Sequence, residues 1–170
     1  MNTNQIHFDN QSKNSFTIGI KKTSLFTRII LILFTFLFFI APIIGLFINL
    51  IERNELRIGI FISFIFFWLI ALFLGRLVLW NIYGKEIYYI DESKIKYCSD
   101  FKYFKDSFKE IKNIDLNMEF EKIGYIEDNF GVLLIKNQTE YLKSAIKVPI
   151  PELRKFIAEI NTTPNNAYKK

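Results

Sequence analysis

The sequence predicts an α+β membrane protein: a transmembrane helical hairpin, then a small antiparallel β barrel or sheet closed by a C-terminal helix. Three observations carry this prediction. No charged residue occurs between Ile29 and Ile51, and none between Ile58 and Gly75. From about residue 85 the apolar pattern shortens to alternating runs. After Pro151 the period turns helical. Composition agrees with this division. Of 170 residues 51% are hydrophobic and 23% charged, and the mean hydropathy is +0.19, so charge must be missing from some stretch. The same figures exclude a mainly disordered chain and a large multi-domain enzyme, and a single Cys excludes a disulfide-stapled mini-protein.

Residues 1–24 are polar and rich in Asn, Gln, Ser and Thr, and are expected to form a loosely ordered leader. Within it Phe16, Ile18 and Ile20 alternate, as in a short strand. The hairpin is expected over residues 25–84, with spans at about 29–51 and 58–80. At 1.5 Å per residue, 23 residues extend about 35 Å, enough to cross a hydrocarbon layer of about 30 Å. The second span reaches Trp80 if Arg76 snorkels to the interface. The connector holds Glu52, Arg53, Glu55 and Arg57, and its shortness forces the two helices antiparallel. A cleaved signal peptide fits poorly, because the run is too long and lies behind a polar leader. Pro42 falls mid-span and removes one helical hydrogen bond.

Flanking charge predicts orientation. Lys13, Lys21, Lys22 and Arg28 precede the first span, two basic residues lie in the connector, and Arg76 and Lys85 follow the second span. Both termini are therefore expected in the cytoplasm of a bacterial-type cell, with the protein multi-pass in the inner (plasma) membrane. Arg28, Arg76, Trp80 and Tyr83 are the expected membrane-interface residues. Small residues four apart occur as Ala41/Gly45, Gly59/Ser63 and Ala71/Gly75, which allow helices to approach closely, either within one hairpin or between partners.

Residues 85–160 are expected to form the cytoplasmic β domain. Lys85–Asp91 and Lys94–Cys98 read as a hairpin about the Asp91-Glu92-Ser93 turn. Ile114, Leu116, Met118 and Phe120 alternate with polar residues, as in a half-buried strand that a bend at Gly124 could extend. Gly131–Lys136 and Tyr141–Val148 read as further strands. Leu153, Phe156, Ile157 and Ile160 make one face of a helix at about 151–160, with Pro151 at its first position. Residues 161–170 read as a disordered tail.

The stretch RLVLWNIYGKEIYYID, residues 76–91, directly follows the second span. Together with NFGVLLIKNQTEYLKSAIKVPIPELRKFIAEI, residues 129–160, it resembles small bacterial two-transmembrane-helix membrane proteins with a C-terminal pleckstrin-homology-like (PH-like) domain. Ser144-Ala145 stands where that pattern carries paired glycines. The resemblance implies a PH-like barrel plugged by the final helix. It does not imply a task, because the fold serves many.

Residue chemistry narrows the function. His7 is the sole histidine and Cys98 the sole cysteine, with no metal-ligand spacing and no phosphate-cradling glycine loop, so no cofactor, metal or catalytic residue is expected. Glu119 and Glu121 share a strand face and read as a solvated surface more readily than as a catalytic pair. The spans carry no ionisable side chain, which argues against transport by this chain alone. Phe101, Lys102, Tyr103, Phe104, Lys105, Phe108, Lys109 and Lys112 form an aromatic and basic segment. It could meet a protein partner or anionic lipid, while Asp100, Asp106 and Glu110 dilute its charge too far for nucleic acid. The expected function is a non-enzymatic, membrane-anchored interaction module, its partners being the bilayer and a protein or a second copy, with no small-molecule substrate evident. The alternative is an accessory subunit held in a larger complex through its helices.

Overall fold

The computed structural model describes residues 5–8, 14–51 and 58–162. The charged connector at 52–57 and the last residues of the expected tail lie outside them. The chain divides into two compact units, residues 22–83 and the combination of 1–21 with 84–170.

The first unit is an antiparallel pair of helices, α1 (Leu25–Ile51) and α2 (Ile58–Tyr83). Ser24 caps α1, its hydroxyl accepting from Thr27 N–H at 3.2 Å. The helix runs through Pro42 without a break. Phe38 meets Phe67 at 5.8 Å, Phe39 stacks on Trp68 at 5.6 Å, and Thr35 lies against Gly75. With 27 and 26 residues the helices extend about 40 Å each. Both are long and apolar enough to cross a membrane, and only 6% of either apolar window is buried.

The second unit holds two antiparallel sheets. The first has the order β1 (Ile6–Phe8), β2 (Ser15–Gly19), β3 (Lys85–Ile90), β4 (Lys94–Asp100), β5 (Lys105–Lys112). In the second, β7 (Phe130–Lys136) lies between β6 (Asn117–Lys122) on one side and β8 (Tyr141–Lys143) with β9 (Val148–Pro149) on the other. Helix α3 (Ile150–Thr162) packs on β6, β7 and β9. No closed barrel forms among the described residues.

The leader departs most from expectation. Its described residues supply β1 and β2, and β2 pairs with β3 over its whole length, from Ser15 beside Tyr89 to Gly19 beside Lys85. Phe16 and Ile18 are fully buried. Phe16 stacks on Tyr88 at 4.5 Å and meets Phe156 of α3 at 4.8 Å. Burying a side chain of that size contributes about 1.5–3 kcal/mol, which outweighs the polar composition around it. Glu152 in the first turn of α3 then holds β1: its Oε1 accepts from the N–H groups of Gln5 at 2.5 Å and Ile6 at 2.9 Å.

Two further expectations shift. Ile114 is exposed and outside β6, because Asp115 turns the chain at φ 48°, a left-handed conformation that a strand cannot hold. Gly124, at φ 95°, ends the strand region and leads into a 3-10 turn at Ile126–Asp128. Leu142, Ser144, Ile146 and Val148 do all face inward, although the ladder breaks between β8 and β9. Helix α3 carries Leu153, Phe156 and Ile160 into the core.

Candidate functional site

Among the described residues, one fully buried carboxylate gathers four hydrogen bonds, and no motif in the sequence marks it. Glu86 is the second residue of β3. A period of two puts Glu86, Tyr88 and Ile90 on one face. The register sets Ile18 and Ser99 beside Glu86, and Phe16 and Tyr97 beside Tyr88. That face is the inner one, and Glu86 is fully buried. A carboxylate taken from water costs several kcal/mol unless hydrogen bonds replace the water. Here four do. Tyr97 Oη–H at 2.9 Å and the Ala145 N–H at 2.7 Å donate to Oε1. Tyr88 Oη–H at 3.0 Å and Ser144 Oγ–H at 2.5 Å donate to Oε2. Four donors fill the acceptor capacity of a carboxylate.

The electrostatics keep these donors neutral. Burial pushes the Tyr88 phenol well above its ordinary value, and the charge of Glu86 pushes it further. Tyr97 is raised by the same two causes in the same order. A carboxylate saturated in this way has no free lone pair with which to take a substrate proton. Its chemistry is that of a clasp: it ties β3 and β4 of the first sheet to the Ser144–Ile146 connector of the second. The signal for it in the sequence is a charged residue at an inward position of a strand whose next inward residues are Tyr88 and Ile90.

The aromatic and basic segment is split by the fold. Phe101 is buried and stacks on Phe104 at 4.6 Å. Lys102 turns left-handed at φ 77°, and its N–H donates to Asp100 Oδ1 at 2.7 Å. Between β4 and β5 the register slips, with Tyr97 beside Lys109 and Ser99 beside Asp106. The extra residue lies on β5, where Ser107 takes φ 57°. This is a bulge. Tyr103 and Phe108 are 69% and 71% exposed. Lys102, Lys105, Lys109 and Lys112 are exposed beside them. Because β5 is the last strand of its sheet, these side chains border an edge that is open as far as Lys112, whose N–H donates to Glu140 Oε2 at 3.4 Å and whose C=O accepts from Asn137 Nδ2 at 3.3 Å.

Glu119 and Glu121 pair with Lys136 and Lys143 at 2.7 Å each, in half-exposed ion pairs that make an ordinary outer face. Cys98 is buried, and burial pushes its thiol up, away from the reactive thiolate. His7 is exposed on β1. No cluster of three His, Cys, Asp or Glu side chains suited to a metal occurs among the described residues.

The helix residues sort by environment. Arg28 and Arg76 belong to the same end of the antiparallel pair, and Arg28 Nε donates to Thr23 Oγ1 at 3.3 Å. Trp80 is half-buried and Tyr83, the last residue of α2, is exposed. Ala71 is buried and Gly75 lies 3.9 Å from Thr35 Cγ2 (measured from where its Cβ would be), so this pair packs the two helices together. Ala41 is half-buried beside buried Pro42, and the Ser63 hydroxyl donates to Ile60 O at 2.8 Å within its own helix. Gly45 and Gly59 are exposed, and a Cβ at either would meet nothing within 4 Å.

No protein-family model, curated protein or solved structure matches this chain.

Proposed function

We propose that this protein is a non-enzymatic, membrane-anchored interaction module. Helices α1 and α2 cross the inner membrane, and the β domain, PH-like in plan, stands at the cytoplasmic face and offers its β5 edge to a protein partner. One observation carries the reading. β2 precedes both apolar helices, β3 follows them, and the two strands pair along their length. If the helices span, their flanks must lie on one side, which an even number of spans satisfies. The exposed apolar surface of the helices supports lipid as its cover, since a soluble core helix of this length would be largely buried. The basic flanks favour the cytoplasm as the shared side.

The β5 edge supports the partner assignment. Exposed aromatics are side chains that anchor protein interfaces, the lysines beside them steer an acidic partner, and an open edge accepts an added strand. Replacing Lys102, Lys105 and Lys109 by Glu is expected to abolish recovery of a stoichiometric partner or a second copy from detergent-solubilised native membranes. Unchanged recovery refutes this surface. Asn54→Cys in a Cys98→Ser background is expected to react with an impermeant thiol reagent added to intact cells. Reaction only after lysis refutes the topology.

Gly45 and Gly59 favour a second reading, an accessory subunit bound through its helices, because both glycines leave open space on the outer surface of the pair. Gly59→Leu would then release the partner while the β5 substitutions would not.

A further inference from the structure

A cavity of about 230 Å³ opens beside the first turn of α3, lined by Lys122, Asn129, Ile150, Pro151 and Arg154. It is smaller than the roughly 300–1,000 Å³ typical of sites for drug-sized ligands. Three elements build it. Lys122 ends β6 opposite Gly131, Asn129 holds a left-handed φ of 50° after the 3-10 turn, and Arg154 lies in α3 over the Phe120 ring at 5.7 Å. The Ile150 N–H donates to Asn129 O at 3.0 Å, which joins the cavity floor to the helix. That amide is occupied and Pro151 has none, so the side chains of Lys122, Asn129 and Arg154 are the donors among the lining residues.

The cavity lining holds two cations and no acid. No described carboxylate is ion-paired with Lys122 or Arg154. The acids next in sequence to the lining are bonded elsewhere, Glu121 with Lys143 at 2.7 Å, Asp128 with the Tyr125 N–H at 3.2 Å and Glu152 with the amides of Gln5 and Ile6. A third cation stands close by: Lys21 Nζ lies 6.0 Å from the centre of the Phe130 ring, next in sequence to Asn129. A cavity of this size, with an ammonium, a guanidinium and a carboxamide on its wall and no acid among its lining residues, suits a compact oxyanion. Arg supplies paired donors for its oxygens and Lys a point charge.

We propose that this cavity binds a phosphate group, either free or carried on a lipid headgroup. Lys122 and Arg154 hold its oxygens and Asn129 donates a further hydrogen bond. The site is separate from the β5 edge and stands whether or not that edge binds a partner.

The test uses the full chain in a neutral detergent. Acetylation of Lys122 is followed by mass spectrometry against Lys136, with inorganic phosphate, phosphatidylglycerol or phosphatidylcholine as probe. Saturable protection of Lys122 but not Lys136, by about tenfold, is expected from at least one of the first two. Protection by phosphatidylglycerol alone assigns the headgroup, and protection by phosphate alone or by both assigns a free anion or the shared group. Arg154→Gln is expected to weaken the protecting probe by about tenfold, whereas Lys143→Gln, with the same loss of charge on the outer face, is expected to leave it unchanged. The proposal fails if no probe protects Lys122, if phosphatidylcholine protects equally, or if Arg154→Gln and Lys143→Gln behave alike.

Discussion

Replacing Glu86 tests the clasp, and the two most informative replacements differ in what they leave behind. In Glu86→Gln the shape survives. The Ala145 N–H can only donate, so the new carbonyl oxygen must take the Oε1 place and the new amide the Oε2 place. There it faces Tyr88 and Ser144, whose hydroxyls can turn to accept. Ser144 has a second acceptor ready in Ile146 O at 3.2 Å. The loss is the charge assistance, about 1–2 kcal/mol. Glu86→Leu keeps the volume but removes every acceptor. Tyr97 retains Ser99 Oγ at 3.1 Å, Ser144 retains Ile146 O, and Tyr88 keeps only the Ser144 hydroxyl beside it, so one donor is orphaned, the Ala145 N–H. At about 1–3 kcal/mol for the orphan and about 1–3 kcal/mol for the charge-assisted bonds lost with the carboxylate, this costs about 2–6 kcal/mol, a large part of the 5–15 kcal/mol that holds a typical domain. Hydrogen exchange of the full chain in detergent reads the effect at residues 141–150. Exchange is expected to quicken about tenfold in Glu86→Gln and at least about thirtyfold in Glu86→Leu, with part recovered in Glu86→Leu/Tyr88→Phe, which removes the hydroxyl left with Ser144 alone. Equal protection in all three variants and the parent would refute the clasp.

Three further outcomes follow from the same contacts. Tyr88 and Tyr97 ionise less readily folded than unfolded, so their contribution to stability is complete below about pH 10 and falls as pH rises beyond it. Ultraviolet absorbance is expected to show these two phenols ionising only as the fold opens; ionisation with tertiary structure intact would contradict that. Gly131→Ala places a Cβ 3.0 Å from Glu121 O and 3.3 Å from Leu153 Cδ1, and is expected to cost about 1–3 kcal/mol in denaturant unfolding. Glu152→Ala frees the amides of Gln5 and Ile6 and is expected to cost about 1–3 kcal/mol, seen as faster proteolysis before residue 14, with strands β3–β5 still protected.

The membrane-length helices were readable because a long stretch without charge is a one-dimensional signal. The period-two runs of β3, β4 and β7 were readable for the same reason, as was the face of α3 that carries Leu153, Phe156 and Ile160. Local conformation was harder. Asp115 in a left-handed turn removes Ile114 from a strand its alternation suggested, and backbone geometry of that kind leaves no periodic trace. The bulge at Ser107 leaves Phe108 exposed at the β5 edge, so a segment with no clean period became a strand of eight residues.

By itself the sequence determined where charge is excluded, and so which residues could form long apolar helices and which must form a mixed α+β unit. Hydrophobic periodicity is a property of neighbours along the chain, and it needs no partner to be seen. The tertiary structure alone decided that the polar leader belongs to the sheet, since Phe16 gains its burial from Tyr88 and Phe156, some 70 and 140 positions away. It alone decided that Glu86 is a core residue, because four donors from β3, β4 and the β8–β9 connector must converge before a buried carboxylate is tolerable. It alone brought Lys122, Asn129 and Arg154 to one cavity. Such convergence depends on pairing between distant segments, and no local pattern in the chain records it.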